Sequence, residues 1–436
     1  MELSAILQTL RRTPAIAQWQ VVETRSQRHE RYLTFLAVES EREVTATRWS
    51  IWLALAPTAG KQGESSFTLA AGDAAADLDF RLATALESAA AAAAPAWILP
   101  APGQPGVASL DSGVDLVDAA VVANPLAALD ALTATYAQAA EAAPWVRPST
   151  LELFATVSTR RLLNHQGLDL TERRTRLYAE FVLLHKPGDP TAEEVEIYDR
   201  TEATTSADLR LGERVAAAAE EVRALPTAGP VPTGTLAITV SDGALAELVD
   251  WYADHADAAL HARKVAALKR EAPVVQRTGG AALEIAVDAT VPSLAAYRFD
   301  DHGYAASRQD LVRDGVLTGL HGAGRWMQVL GLPPRGSRGT TVVPAGATAL
   351  AELLNGTVEV LRFSEFQPRH DTGAFSGEIR LAWWHRPDGQ RIAVKGGSLS
   401  GVLADAFANV EFSRELVTTG TYHGPKAARF VATLAG

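Results

Sequence analysis

A short segment rich in proline and glycine, residues 226–232, divides the chain into two halves of different texture. Before it, runs with helical periodicity alternate with runs rich in β-branched and aromatic residues. After it, short strand-like runs are separated by glycine turns. With 436 residues, the chain is too long for one typical hydrophobic core. We therefore predict an α+β protein of two domains, residues 1–228 and 229–436.

The N-terminal domain is expected to be an α/β unit with a mixed sheet. Strand-like runs lie at 20–24, 32–38 and 43–55, where apolar residues partly alternate with polar ones. The Ala-rich run 80–94 and the run 124–143 have the composition of helices. These runs predict helices packed on a half-buried sheet.

The C-terminal domain is expected to be β-rich, with antiparallel strands and a few covering helices. Asp314-Gly315 lies between two runs of alternating apolar residues, which is the strongest hairpin signal in the chain. The run 296–299 is predicted to be a short strand. The run 399–408, after a serine that can cap it, is predicted to be a helix.

The C-terminal domain begins with a segment, 242–269, that has the periodicity of one long helix. Apolar residues such as Leu245, Leu248 and Tyr252 recur every three or four positions. This spacing predicts one buried stripe along the helix. Ser241 can cap its first turn.

Two histidines on this helix, His255 and His261, raise the alternative of a metal-dependent hydrolase. Asp254 or Asp257 would be the further ligands in such a site. Six residues rotate one histidine by about 120° from the other on a regular helix, and no glutamate follows either of them to activate a water. We therefore expect no metal ligand and no catalytic residue in this chain.

Composition excludes several classes of function. The sequence contains no cysteine, which rules out disulfides, thiolate ligands and a cysteine nucleophile. A formal net charge of −11 argues against a nucleic-acid partner. The Ala-rich run that ends at Pro95 is too short to span a membrane. We expect a cytoplasmic protein with neither a nucleic-acid nor a membrane partner.

Glycine, aspartate and arginine residues recur in a fixed order along the chain. The central group comprises Asp301, Gly303, Arg308, the Asp314-Gly315 turn and Arg338. This group resembles the central signature of the TldD/PmbA family. Supporting pieces in the same order are Asn164-x-x-Gly167, Arg263-Lys264, Gly373-x-Phe375 and Gly396-Gly397.

The resemblance implies a two-subunit zinc peptidase that trims small or ribosomally made peptides. The TldD-type subunit of that family carries an HExxxH motif on the helix that matches the segment 242–269, and a cysteine ligand. Neither is present here. The helix instead resembles that of the PmbA (TldE) type, which ends in an Arg-Lys pair. The resemblance thus implies a subunit without a cofactor, whose TldD-like partner holds the zinc.

These expectations give a candidate site and two alternatives to the heterodimer. One alternative is a stand-alone homodimeric protein of the same fold that binds peptides or acts as a scaffold, and the other is the metal-dependent hydrolase. We expect the C-terminal half to form the dimer contact and one wall of a peptide groove. The candidate substrate-binding or interface residues are Arg263, Lys264, Asp301, Gly303, Arg308, Arg338, Gly373, Phe375, Gly396 and Gly397.

Overall fold

The first half of the chain is built on a sheet of long strands. The computed structural model describes residues 1–109, 113–185 and 194–436, and in this part seven strands pair in the order β4-β3-β2-β1-β5-β6-β7. The strands are β1 Ile16–Thr34, β2 Ala37–Leu55, β3 Lys61–Ala70, β4 Ala93–Pro95, β5 Val146–Asn164, β6 Asp169–His185 and β7 Glu196–Ala203.

All pairings of this sheet are antiparallel in the described residues, so the sheet is not the mixed one expected. The physical reason is the length of the connections. Phe35 and Leu36 alone join β1 to β2, and a turn at Asn164–Gly167 joins β5 to β6. Such short connections allow only an antiparallel hairpin.

One face of this sheet is covered by helices. Odd-numbered residues of the central strands, such as Val21 and Leu153, are fully buried on this face. They pack in two hydrophobic clusters, one with α1 and α2 and the other with α3, α4 and α5. These helices are α1 Leu3–Arg12, α2 Ala75–Ala91, α3 Ala119–Ala123, α4 Pro125–Glu141 and α5 Leu211–Ala224.

The opposite face of the sheet meets the C-terminal half. Leu162 and Leu170, which are paired across β5 and β6, form a small hydrophobic cluster with Phe299. Side chains alternate between the two faces of a strand. The even-numbered residues next to this cluster therefore also face the C-terminal half.

The second half contains two sheets and a large hydrophobic core. A six-stranded sheet has the order β12-β11-β10-β13-β20-β19, and an eight-stranded path has the order β14-β9-β21-β17-β15-β16-β8 with β18 on β21. The strands are β8 Gly229–Pro230, β9 Gly234–Ser241, β10 Ile285–Asp288, β11 Arg308–Arg313, β12 Val316–Leu317, β13 Thr340–Val342, β14 Val358–Pro368, β15 Ala374–His385, β16 Arg391–Lys395, β17 Ser398–Val402, β18 Glu411–Phe412, β19 Leu416–Thr419, β20 Tyr422–Pro425 and β21 Ala427–Ala435.

Most strand pairs of this half are antiparallel, as expected, but β9 with β14, β13 with β20 and β8 with β16 are parallel. The Asp314-Gly315 hairpin is present, with both residues at positive φ. The α+β class is thereby confirmed. The helices of this half are α6 Asp242–His255, α7 Ala258–Ala262, α8 Gly324–Val329, α9 Leu350–Leu354 and α10 Leu403–Ala406, with 3-10 turns at Leu225–Thr227 and Phe407–Asn409.

The long helix expected over 242–269 is interrupted after His255. Ala258 donates its N–H to the carbonyl of His321 at 2.8 Å, and His321 donates to the carbonyl of Ala256 at 3.0 Å. This strand-like bridge takes the backbone out of the helix, and Asp257 then caps α7 by accepting the N–H of Ala259 at 2.7 Å. A tertiary contact thus overrides a continuous helical pattern.

Two other elements also differ from expectation. The run 296–299 is a loop, because its carbonyls at Ala296 and Phe299 accept hydrogen bonds from arginines of the N-terminal sheet. The run 399–408 is helical only from Leu403 onwards, over α10 and the 3-10 turn that follows it, since its first residues form β17 and pair with β15 and β21. In both places backbone groups have partners far along the chain.

Arg362 on β14 connects the two halves. Its guanidinium lies 3.0 Å from Asp199 of β7 and 2.7 Å from Glu221 of α5.

The N-terminal sheet ends at Ala203, and the sheets of the second half begin at Gly229. The domain boundary at 228 stays a prediction. Within the described residues, no helix is long and apolar enough to cross a membrane.

Candidate functional site

A cavity of about 270 Å³ lies where the N-terminal sheet meets the second half. The sheet supplies one wall through even-numbered residues of β1, β5 and β6. The loop that precedes β11 supplies the other wall, and Ser337 and Arg338 add to the lining. The lining residues are Thr24, Ser158, Arg160, Glu172, Arg174, Ala295, Ala296, Tyr297, Phe299, Asp300, Asp301, Ser337 and Arg338.

Strand register brings the charged side chains of the sheet wall together. Arg160 lies opposite Glu172, and Ser158 lies opposite Arg174, in the β5–β6 pair. Residues paired across two strands project to the same face. The sequence therefore places two arginines and one glutamate on the wall that faces the loop.

Arg160 links this wall to the loop. Its guanidinium lies 3.1 Å from a carboxylate oxygen of Glu172 and 2.7 Å from one of Asp301. It also lies over the ring of Phe299, 4.6 Å from the centroid. These contacts fix the loop against the sheet and give Asp301, whose side chain is 86 % exposed, a charged partner.

Asp300 holds the loop in shape. Its carboxylate accepts the backbone N–H groups of His302 and Tyr304 at 2.9 Å each, and of Ser337 at 3.0 Å. Burial raises the pKa of Asp300, while these hydrogen bonds act in the opposite direction. Gly303 follows at a φ of 95°, a conformation that glycine adopts without strain.

Arg338 connects the cavity to helix α6. It donates to Asp250 at 2.6 Å, to Asp254 and, at 3.1 Å, to the hydroxyl of Thr341. Thr341 in turn donates to Asp250 at 2.7 Å. One guanidinium is thus shared by two carboxylates that lie one turn apart on the helix.

The carboxylates of α6 are perturbed by their surroundings. Burial raises the pKa of Asp250, and the Arg338 guanidinium partly opposes this effect. Burial, together with the charges of Asp250 and Asp254, raises the pKa of Glu247 on the same face. The face is therefore an acidic stripe of three carboxylates, with one arginine bound between two of them.

A zinc ion of the TldD type does not fit the residues on this helix. His255 is fully buried, and its Nε2 donates to the carbonyl of His370 at 2.6 Å while its Nδ1 accepts the N–H of Ala267 at 3.2 Å. Both ring nitrogens are therefore occupied. Asp250 and Asp254 are held by a cation, which repels a metal ion. In the described part of the chain, no three His, Asp or Glu side chains form a group that could hold a metal.

The other histidines near α6 bind its last carbonyls. His321 Nε2 donates to the carbonyl of Ala253 at 2.8 Å, and His261 Nε2 donates to that of His255 at 2.9 Å. The last carbonyls of a helix have no partner within it. The two imidazoles thus have a structural role at the end of α6. Burial lowers the pKa values of His255 and His321.

The candidate residues predicted from the sequence fall in several places. Asp301 and Arg338 line the cavity. Arg263, at the end of α7, lies over the ring of Trp326 at 4.8 Å, and Lys264 beside it is exposed. Arg308 is exposed on β11 and pairs locally with Asp310 at 3.1 Å.

The predicted glycines and phenylalanine shape turns and core. Gly373 has a φ of 66° and lies against the Trp251 ring of α6. Phe375 is 2 % exposed and packs on other aromatic rings of the core. Gly396 and Gly397 form the turn between β16 and β17, both at positive φ. These four residues do not line the cavity.

Sequence reasoning missed the residues that build most of the site. Asp250, Arg160, Glu172 and Arg174 were not candidates. The acidic stripe on a helix otherwise rich in apolar residues was a usable signal. So was the spacing of Glu172 and Arg174, two residues apart, which places two charges on one face of a strand.

Comparison with known proteins identifies the second half of the chain. The model described as the PmbA/TldA metallopeptidase C-terminal domain matches residues 233–434. No curated protein matches the chain by sequence.

Solved structures share the fold over almost the whole chain. TldE from Thermococcus kodakarensis aligns with a TM-score of 0.79 at 15 % identity, covering 99 % of this chain and 100 % of that one. A putative modulator of a DNA gyrase from Thermotoga maritima has a TM-score of 0.76 at 16 % identity, covering 99 % of both chains. A putative modulator of DNA gyrase from Bacteroides thetaiotaomicron has 0.75 at 16 % identity, covering 99 % and 96 %.

At these identities the solved structures show the common fold, and the family model identifies the C-terminal half. The resemblance seen in the sequence is thereby confirmed for the second half of the chain. Residues 233–434 belong to the family of the PmbA/TldA metallopeptidase C-terminal domain, and the whole chain has the fold of the TldE structure.

Proposed function

We propose that this chain is a TldE-like, non-catalytic subunit. In this proposal it pairs with a TldD-like subunit that carries HExxxH and zinc, and the pair processes small or ribosomally made peptides. The chain itself supplies binding surface and structural support. We place the pair in the cytoplasm, since a chain without cysteine needs no oxidising compartment.

The observation that carries the proposal is that Arg338 forms ion pairs with two carboxylates of helix α6. The resemblance puts the metal-binding motif of the TldD type on this helix. Here the helix instead presents Asp250 and Asp254 to a guanidinium, and the imidazole of His255 is held by two backbone groups. An arginine between the carboxylates stabilises the helix face, but it occupies the position that a metal ion would need.

The cavity supports the peptide part of the proposal. It lies at the junction of the two halves and combines apolar surface from Tyr297 and Phe299 with charged groups from both walls. Sites of this kind, concave and with a few fixed polar groups, are typical of small-ligand binding. The signature residues Asp301 and Arg338 both lie in its lining.

Metal analysis of the pure protein tests this proposal. We expect well under one zinc per chain and no peptide hydrolysis by the chain alone. A His255→Ala, His261→Ala double variant should then have the same low zinc content. Stoichiometric zinc in the wild type that is lost in the double variant would favour the metal-dependent hydrolase instead.

A further inference from the structure

Arg174 is a poorly satisfied cation in the wall of the cavity. A guanidinium has five N–H donors. Among the described residues, the hydrogen bond made by this one runs from Nη2 to the carbonyl of Ala296. Its Nε is buried without any partner. Burial lowers the pKa of Arg174, because the charged form loses hydration.

The nearest carboxylate is already engaged elsewhere. Glu172 lies two residues away on the same face, but one of its oxygens pairs with Arg160 at 3.1 Å. The other accepts the backbone N–H of Arg298 at 2.9 Å. Arg174 itself forms no ion pair within the described residues. The wall thus holds one arginine in two ion pairs and one without an ion pair, whose charge Glu172 compensates only in part.

An unbalanced, partly buried cation lowers stability unless something binds it. Proteins commonly retain such a cost where the group is needed for function. Arg174 lines the cavity beside the apolar surface of Ala296, Tyr297 and Phe299. A ligand that satisfies all of these groups has an anionic end next to an apolar side chain.

We propose that Arg174 binds the C-terminal carboxylate of a short peptide in this cavity. The inference rests on the proposed function, from which the peptide nature of the ligand is taken. A guanidinium matches a carboxylate with two parallel hydrogen bonds. Glu172, Asp300 and Asp301 in the same lining repel a doubly charged phosphate more strongly than a single carboxylate. The exposed carboxylate of Asp301 can in addition accept a peptide N–H group.

The test measures thermal stabilisation of the full-length protein by a pool of random tripeptides at millimolar concentration. The pool is supplied once as free acids and once as C-terminal amides. Binding to the folded state raises the melting temperature. We expect a rise with the acids and none with the amides. Equal shifts for both pools, no shift for either, or a larger shift with inorganic phosphate would overturn the proposal.

Two variants separate binding from structure. Arg174→Gln should lose the shift, with apparent affinity reduced by about ten- to a hundredfold for the loss of a charged hydrogen-bonded pair. Without ligand its stability should be close to that of the wild type, because removal of an uncompensated charge offsets the lost hydrogen bond to the carbonyl of Ala296. The matched control is Arg173→Gln, on the exposed opposite face of β6, which should keep the shift.

A purely structural Arg174 gives a different pattern. Arg174→Gln would then melt at a lower temperature without ligand, and acids and amides would act alike on the wild type. This failure is distinct from failure of the proposed function. If the chain pairs with a zinc-bearing subunit and Arg174→Gln leaves peptide processing and the acid-specific shift intact, the subunit assignment stands and the carboxylate site does not.

Discussion

Arg338 is the residue on which the geometry next to the cavity depends. It holds two carboxylates of α6, and its side chain and that of Asp250 are 26 % and 23 % exposed. Removal of the guanidinium leaves Asp250, Asp254 and Glu247 close together with no cation between them. Like charges on one helix face repel, and a partly buried carboxylate without a neighbouring cation is costly.

We therefore expect Arg338→Gln to lower the free energy of unfolding by about 1–3 kcal/mol at pH 7, a range that allows for partial screening by solvent. The matched control is Arg335→Gln, an exposed arginine nearby in sequence, which should change it by less than about 0.5 kcal/mol. Urea unfolding measures both. Equal effects of the two substitutions would show that the ion pairs of Arg338 with α6 do not contribute to the free energy of unfolding.

His255 makes stability depend on pH. Its folded-state pKa lies below the ordinary value of 6.5 because the ring is buried. As the pH falls below 6.5, the imidazole becomes protonated in the unfolded chain but stays neutral in the folded chain. The free energy of unfolding therefore decreases as the pH falls through this range. His255→Gln should therefore show a shallower fall in unfolding free energy from pH 7 towards pH 5. Parallel curves for variant and wild type would contradict this role.

At the scale of elements, turns with positive φ limit what the second half tolerates. Gly396 and Gly397 are adjacent in the β16–β17 turn, with φ of 80° and 68°. A Cβ on Gly396 would meet nothing within 4 Å, whereas one on Gly397 would lie 2.2 Å from the carbonyl oxygen of Ala435. Both positions thus have a left-handed backbone that strains any other residue, but only Gly396 has room for a side chain.

Gly396→Ala should cost about 1 kcal/mol, from the left-handed backbone alone. Gly397→Ala should cost about 2–4 kcal/mol, because the new methyl group also displaces the end of β21. Chemical denaturation of the two variants side by side measures the difference. Similar decreases in unfolding free energy would mean that the end of β21 can move away from the new methyl group without a cost in stability.

Elements were predictable where local pattern and tertiary contacts agree. The apolar stripe of α6 and the Asp314-Gly315 hairpin are examples. The long strands β1 and β2 were seen only as fragments, because the middle of β1 and the first part of β2 are exposed and largely polar. The break at Asp257 depends on His321, far along the chain. The cavity depends on cross-strand register and on a loop held by Asp300, neither of which a single sequence displays.

At the scale of the whole molecule, the second half carries the aromatic side chains that we expect at an interface. Trp326, Trp383 and Trp384 are each half-buried and each has an arginine over its ring. Large aromatic side chains often anchor protein contacts. We therefore expect the dimer contact and one wall of the peptide groove in this half.

Hydrogen exchange of the chain with and without its partner tests that placement. New protection on assembly should appear within 229–436, including the strands next to these tryptophans. Exchange in the helices that cover the N-terminal sheet should change little. Protection confined to residues 1–225 would place the contact on the other half of the molecule.

Native mass spectrometry of the complex isolated from its own host, with zinc assigned to each component, tests most directly whether this chain is a non-catalytic partner of a zinc peptidase subunit. We expect a complex of this chain with a TldD-like chain that carries HExxxH, in which the zinc belongs to the second chain. A homodimer with no such partner, or stoichiometric zinc on this chain, would contradict the claim.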